Sequence, residues 1–276
     1  MDYLVRHLIV NAGDEAALST VFLSAGFTGF VFASRQDGRL DCSCYGGDGM
    51  LPPVVDAVMG QFAVVLVGEE RRSEAELLAG ALDEDPCELR SGVWIDPKGT
   101  LDEQADRMVL RIPPSAAFGD GRHPTTRMAA SLFAPQDVRG KSVCDLGCGT
   151  GVLGILAQRW GARRVVMSDL DADAVRTAAQ VAAANGAEAI TVLASDLLDQ
   201  IPAEPVDLLL ANIYGDLCQR LMTDPKLDAV LPHGVLVLSG ISYQRKAAVV
   251  AAVEAAGFEI LAEREEAWWC ALRCWR

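Results

Sequence analysis

Apolar and polar positions follow two different rhythms along this chain of 276 residues. In the first 70 residues the apolar runs are short and change period every eight to ten positions. Tyr3 to Val10 is β-branched and apolar enough for a strand. Asp14 can cap a helix carrying Ala17, Leu18, Val21, Phe22 and Leu23, with Gly26 stopping it. Thr28 to Ala33 and Arg39 to Cys44 read as strands, and Asp37-Gly38 between them is a hairpin signal. Pro52 and Pro53 open a helix through Val54, Val55, Val58 and Met59, and Phe62 to Val67 predicts a fourth strand. The order βαββαβ is that of a ferredoxin-like module.

From Met108 onward the rhythm becomes a regular alternation. Strands are predicted near Val143–Asp145, Arg164–Ser168, Ala189–Leu193, Val206–Asn212, Gly234–Ser239, Phe258–Ala262 and Trp268–Arg273. Helices fit between most of them, notably Ala172–Ala184, Leu217–Leu227 and Gln244–Ala256. Such alternation builds a doubly wound α/β sheet. The last two strands leave no room for a helix, so they are expected to pair antiparallel. The charge run Glu69 to Glu74 reads as the solvated start of a helix. The expected organisation is a small α+β domain at 1–70, a linker at 71–106 with Trp94 in packing contact, and a larger α/β domain at 107–276.

Composition narrows the function. Half of the residues are apolar, enough for a sizeable core. No apolar run approaches the roughly 20 residues of a membrane span, and the N-terminus does not read as a signal peptide, so a cytoplasmic protein is expected. A net charge of −14 argues against direct nucleic-acid binding and suits a basic protein partner. The eight cysteines show neither zinc spacing nor a disulfide framework, so no metal site is expected. A monomer is the working expectation.

The segment Val143 to Gly151 carries the most chemistry. An apolar strand ends in Asp145, and Gly147, Gly149 and Gly151 follow before the helical run Val152 to Ala157. A turn without side chains lets a ligand approach the main chain. Asp169 ends the next strand, where a ribose diol lies in nucleotide-binding βαβ units. The stretch Gly149 to Gly154 also matches a dinucleotide pattern. Asp145, however, would repel a pyrophosphate and suits an ammonium group. S-adenosylmethionine is therefore the favoured cofactor and a nicotinamide dinucleotide the rival.

Two further segments converge on this turn. Phe118 to Thr126 (Phe-Gly-Asp-Gly-Arg-His-Pro-Thr-Thr) is a shaped loop leading into a helix through Met128 and Leu132. Its threonines suit either a carboxylate ligand or simple helix capping. Leu208 to Tyr214 places Asn212 at the carboxyl end of a strand, the edge where ligands sit in open α/β sheets. Asn212 can orient cofactor and nucleophile, or merely end the strand. Asp196 can meet an adenine amine or cap a turn.

Together these segments resemble the PrmA family, methyltransferases that modify lysines and the N-terminal amine of a large-subunit ribosomal protein. The loop Phe118–Thr126, the Asp145–Gly151 turn, Ala211-Asn212-Ile213 and Leu238-Ser239-Gly240 carry the likeness. The resemblance implies a seven-stranded Rossmann-like methyltransferase sheet with a smaller N-terminal α+β ferredoxin-like domain for substrate recognition. It also implies Thr126, Gly147, Asp169 and Asn212 as cofactor contacts, beside Asp145 and Gly149 from the turn itself. Asp120 stands where the family has a small hydroxyl residue and Tyr214 where it has leucine. Asn212 and Tyr214 are the candidate catalytic residues, lining the entry for a deprotonated amine without an obligatory general base. Only His123 is placed to serve as one. The alternatives are methylation of another protein or a small molecule, a dehydrogenase, and a scaffold without catalysis.

Overall fold

The chain divides into two units, residues 1–82 and 83–276. The computed structural model describes residues 2–24, 27, 30–35, 37–46, 51–73, 85–115, 117–187 and 190–276. Gly26, Thr28, Glu74 and Ala189, singled out in the sequence, lie outside the described residues.

In the first unit β1 (Asp2–Asn11), α1 (Glu15–Ser24), β2 (Phe30–Ser34), β3 (Arg39–Gly46), α2 (Leu51–Met59) and β4 (Val65–Ser73) follow in order. The sheet order is β2-β3-β1-β4, antiparallel throughout. Leu8, Leu18, Phe22, Phe27, Val55 and Val58 fill the core, with Phe22 edge-on to Phe27 at 5.4 Å. The βαββαβ order is therefore present, but its last strand is displaced. The expected strand at 62–67 runs instead from Val65 to Ser73, and the charge run from Glu69 to Ser73 is strand, not the start of a helix. β4 is an edge strand, where charged side chains are favoured because they discourage pairing with other chains. Arg6, opposite on β1, donates to Glu69 at 2.6 Å and to Asp56 at 3.1 Å.

The second unit opens with β5 (Cys87–Arg90), β6 (Val93–Ile95) and β7 (Met108–Leu110), a three-stranded sheet. Residues 87–106, expected as linker, thus belong to a packed body. Leu89, Val93 and Ile95 are buried in its core, and Trp94 is partly buried. Asp96 anchors the segment. Fully buried, it accepts from the backbone N–H of Lys98, Gly99 and Leu101 and from Arg111 at 2.6 Å. Burial alone would raise its pKa, but these donors hold the carboxyl below its usual range.

Next come α3 (Pro124–Ser131), α4 (Pro135–Val138), β8 (Ser142–Leu146), α5 (Val152–Arg159), β9 (Arg164–Asp169), α6 (Ala172–Ala184) and β10 (Ile190–Ala194). The chain ends with β11 (Leu208–Asn212), α7 (Gly215–Met222), α8 (Leu227–Val230), β12 (Val235–Ser242), α9 (Tyr243–Ala255), β13 (Glu259–Glu266) and β14 (Trp269–Trp275). Seven strands form one sheet in the order β10-β9-β8-β11-β12-β14-β13. The first five are parallel, and β14 runs antiparallel to both neighbours. The order reverses at β8, the point where open α/β sheets bind ligands. The sheet is buried on both faces, as parallel sheets require: Val143, Met167 and Leu210 pack on one side, Leu146, Leu209 and Leu238 on the other. The helix expected at 217–227 is two helices, because Pro225 lacks an N–H and clashes with the preceding turn. All eight cysteines are free, and among the described residues no helix is long and apolar enough to cross a membrane.

Candidate active site

The carboxyl ends of β8, β9 and β11, the loop before α3 and the end of β12 build one site. The turn after β8 takes its shape from glycines with positive φ at 147, 149 and 151. Gly149 shows why. At φ 55°, a Cβ there would overlap the Phe118 carbonyl oxygen, so no other residue lets the loop lie down on the turn. Thr150 fastens that loop, its N–H donating to the Phe118 carbonyl at 2.8 Å and its hydroxyl to that of Gly119 at 2.7 Å.

Asp145 has a different environment from the one its position suggests. It is 1% exposed, and its Oδ2 accepts the N–H of Gly154 at 2.9 Å. That N–H is one of the donors left unpaired in the first turn of α5, so the carboxylate caps the helix from below. Burial pushes its pKa up to about 7, the Gly154 bond opposes the rise and repulsion from Asp169 adds to it. Asp145 therefore organises the turn rather than lying open to a ligand.

Asp169 sits at the rim. Its Oδ2 accepts from Gly149 N–H at 2.9 Å and its Oδ1 from Asp171 N–H at 3.0 Å, which fixes the carboxylate plane. Leu170 beside it is 72% exposed, an apolar surface next to a carboxylate at the place where a nucleoside would lie. Asp196, the other acidic candidate, forms an ion pair with Arg220.

Asn212 and Thr126 meet across 86 residues of sequence, with Asn212 Nδ2 donating to Thr126 Oγ1 at 3.3 Å. Thr126 is fully buried, and Asn212 Oδ1 is buried without a hydrogen-bond partner. Buried acceptors are nearly always paired, so an unpaired one at a strand end marks a ligand position. His123 caps α3, its Nδ1 accepting from Thr125 N–H at 3.3 Å and lying 2.8 Å from the Thr125 hydroxyl. Its ring is edge-on to Phe118 and Trp269, and burial lowers its pKa, which keeps the ring neutral as an accepting cap must be. Tyr214 follows on the outer rim, 51% exposed.

Sequence reasoning had named Thr126, Gly147, Gly149, Asp169 and Asn212, and the structure brings them together on one edge. It gave no site role to Ser239, named there only within the family likeness; this residue is fully buried and donates to the Thr125 carbonyl at 2.8 Å. The available signal was the Leu-Ser-Gly end of β12, whose Ser239 lies opposite Asn212 in register.

A parallel sheet with one antiparallel strand set inside its edge, a bare turn at the switch point and an acid after β9 define an S-adenosylmethionine-dependent methyltransferase of the Rossmann-like class. The donor set fits that cofactor: a neutral amide with a free acceptor, and an exposed apolar residue beside a carboxylate. Residues 83–276 match the family model described as ribosomal protein L11 methyltransferase (PrmA), and the chain belongs to this family. Among curated proteins, a ribosomal protein L11 methyltransferase of Synechococcus is 39% identical over 174 residues, covering 62% of this chain and 58% of that relative. The one of Thermotoga maritima is 29% identical over 259 residues, 94% of each chain. The crystal structure of a ribosomal protein L11 methylase from Lactobacillus delbrueckii subsp. bulgaricus superposes with a TM-score of 0.63 at 28% identity, covering 68% of this chain and 97% of that one. The dehydrogenase alternative is thereby excluded.

Proposed function

We propose that this methyltransferase modifies amines, lysine side chains and the N-terminal amine, of the large-subunit ribosomal protein L11. The names of its relatives support the substrate. The observation that carries the chemistry is the unpaired Asn212 Oδ1 beside Thr126, at the edge of the glycine turn. In this reading Thr126, Gly147, Gly149, Asp169 and Asn212 hold the cofactor, and Asp145 acts on it through the helix it caps.

When bound, the cofactor supplies an electrophilic methyl on a sulfonium, already joined to a good leaving group. The protein has mainly to align the nucleophile, and alignment of this kind can lower a barrier by about 7–11 kcal/mol. A lysine near pKa 10.4 must first shed its proton. Apolar and aromatic surface around it, here Tyr214 and Phe118 on the rim, favours the neutral amine. Asn212 accepts a hydrogen bond and orients the amine without removing a proton. His123 Nδ1 is engaged by Thr125, so turnover proceeds without His123 as an obligatory base. The first unit, with its ferredoxin-like sheet, recognises the acceptor.

The test is incubation with radiolabelled S-adenosylmethionine and ribosomal proteins from a strain lacking this gene. Label on one small basic large-subunit protein, lost on Asn212→Ala, is the expected outcome. Binding of S-adenosylhomocysteine with no ribosomal protein labelled would move the acceptor elsewhere and leave the cofactor site standing. Asp120 and Tyr214 would then be the first residues to exchange.

A further inference from the structure

Ser239 occupies a defect in the sheet. β12 pairs with β14 as far as Leu238, the register then shifts, and pairing resumes at Ile241. Gly240 makes the defect possible: at φ 78° it lies so close to β11 that a Cβ would come within 2.5 Å of the Ile213 carbonyl oxygen. Bulges of this kind re-aim side chains beside functional sites. Here the re-aimed residue is a serine that is fully buried, yet its hydroxyl turns away from its own strand. It donates to the carbonyl of Thr125 in the first turn of α3. On its other side Ser239 stays in register with Asn212, and its carbonyl accepts from Ile213 N–H at 3.0 Å. One residue thus bonds the chain neighbour of each partner of the Thr126–Asn212 contact, Thr125 by side chain and Ile213 by backbone.

We propose that Ser239 is a positioning residue for cofactor binding. Its hydrogen bond to Thr125 sets the first turn of α3, so that Thr126 Oγ1 engages the amide of Asn212 and leaves Oδ1 to accept from the cofactor. The proposal rests on the reading of Asn212 as a cofactor contact. Thr125 and Thr126 are both almost completely buried, so the turn has no solvent-exposed slack with which to compensate. Ser239 itself touches no reacting atom.

The test is a double-mutant cycle on the full chain, read by calorimetry with S-adenosylhomocysteine and by thermal melting. Ser239→Ala is expected to weaken binding about 5- to 10-fold, the equivalent of losing one buried hydrogen bond. In an Asn212→Ala background the same substitution is expected to change affinity by less than about twofold, because the group it positions is gone. The lowering of Tm is expected to be equal in both backgrounds. Equal losses of affinity in both backgrounds, or unchanged affinity in Ser239→Ala, would overturn the proposal. Ser239→Cys, close in size and a weaker donor, carries the same cycle should the alanine variant not fold. Unchanged affinity in Asn212→Ala alone would remove the reading beneath it, whereas weakened binding with additive losses would remove only the role of Ser239.

Discussion

The two units obey different kinds of constraint. In the first, positions are set by pattern: Leu8, Phe22 and Val58 need only be apolar and of fitting volume. At the carboxyl edge of the second, positions are set by identity. Gly149 lies against a carbonyl oxygen, Thr150 holds two carbonyls, and Asn212 meets a buried threonine. The family model begins at residue 83, after the first unit. Pattern constraints are met by many sequences and identity constraints by few. The core of the first unit can therefore change its residues while the glycine turn of the second cannot.

The strongest way to break this contrast is Gly149→Ala. The added methyl would displace the Phe118–Gly121 loop, and S-adenosylhomocysteine binding is expected to fall more than about 100-fold in calorimetry, with a loss of about 3 kcal/mol in stability. Leu8→Ala in the first unit is expected to cost about 3 kcal/mol in denaturant unfolding of that unit. Affinity for S-adenosylhomocysteine should stay within about twofold, since the site needs nothing from that core but its fold. If Leu8→Ala weakened cofactor binding as much as Gly149→Ala does, the division into pattern and identity would fail.

Asp145 sharpens the contrast through pH. Its folded pKa of about 7 lies above the ordinary 3.8 of the unfolded chain. Between those values the native state holds a proton that the unfolded chain has released, so stability falls as pH rises through this window, and the loss is complete above 7. Asp145→Asn keeps an acceptor for Gly154 but does not titrate. Its stability relative to wild type should therefore improve from pH 5 to pH 8 by about 2 kcal/mol. A difference independent of pH in urea titrations would show that the carboxyl is ionised throughout. The smallest effect is expected of Tyr214→Leu, on the open rim. Cofactor affinity should be unchanged, and kcat/KM for the protein acceptor should move by less than about tenfold, measured by label incorporation.

What the sequence reveals follows the same line. The strand–turn–helix at 142–159 was legible because its constraints are local: an acid, alternate glycines and an apolar helix within a few residues. The shared location of Thr126, Gly147, Gly149, Asp169 and Asn212 was legible because strand ends in such sheets share one edge. β4 was misread because the partner of its charge run, Arg6, lies some 60 positions earlier, and a charge run alone looks like a solvated helix. Asp96 went unnoticed within an apparent linker because its ligands are backbone N–H groups, which no composition displays. The bond from Gly154 to Asp145 was not legible, since the sequence shows an acid at a strand end but not the burial that turns it onto the helix.

The position of β14 has a consequence for how the molecule is made. It lies between β12 and β13, so β13, although synthesised earlier, has no neighbour until β14 arrives. While Trp269 to Trp275 are still in the exit tunnel, β12 carries an open hydrogen-bonding edge and β13 has no sheet to join. Trp269 also supplies the ring that abuts His123 at the start of α3, and Arg273 donates to the Leu132 carbonyl just beyond its end. The helix that carries Thr125 and Thr126 is thus fully seated only once β14 is in place. Truncation within β14 would therefore leave two unpaired strands rather than a slightly shorter sheet.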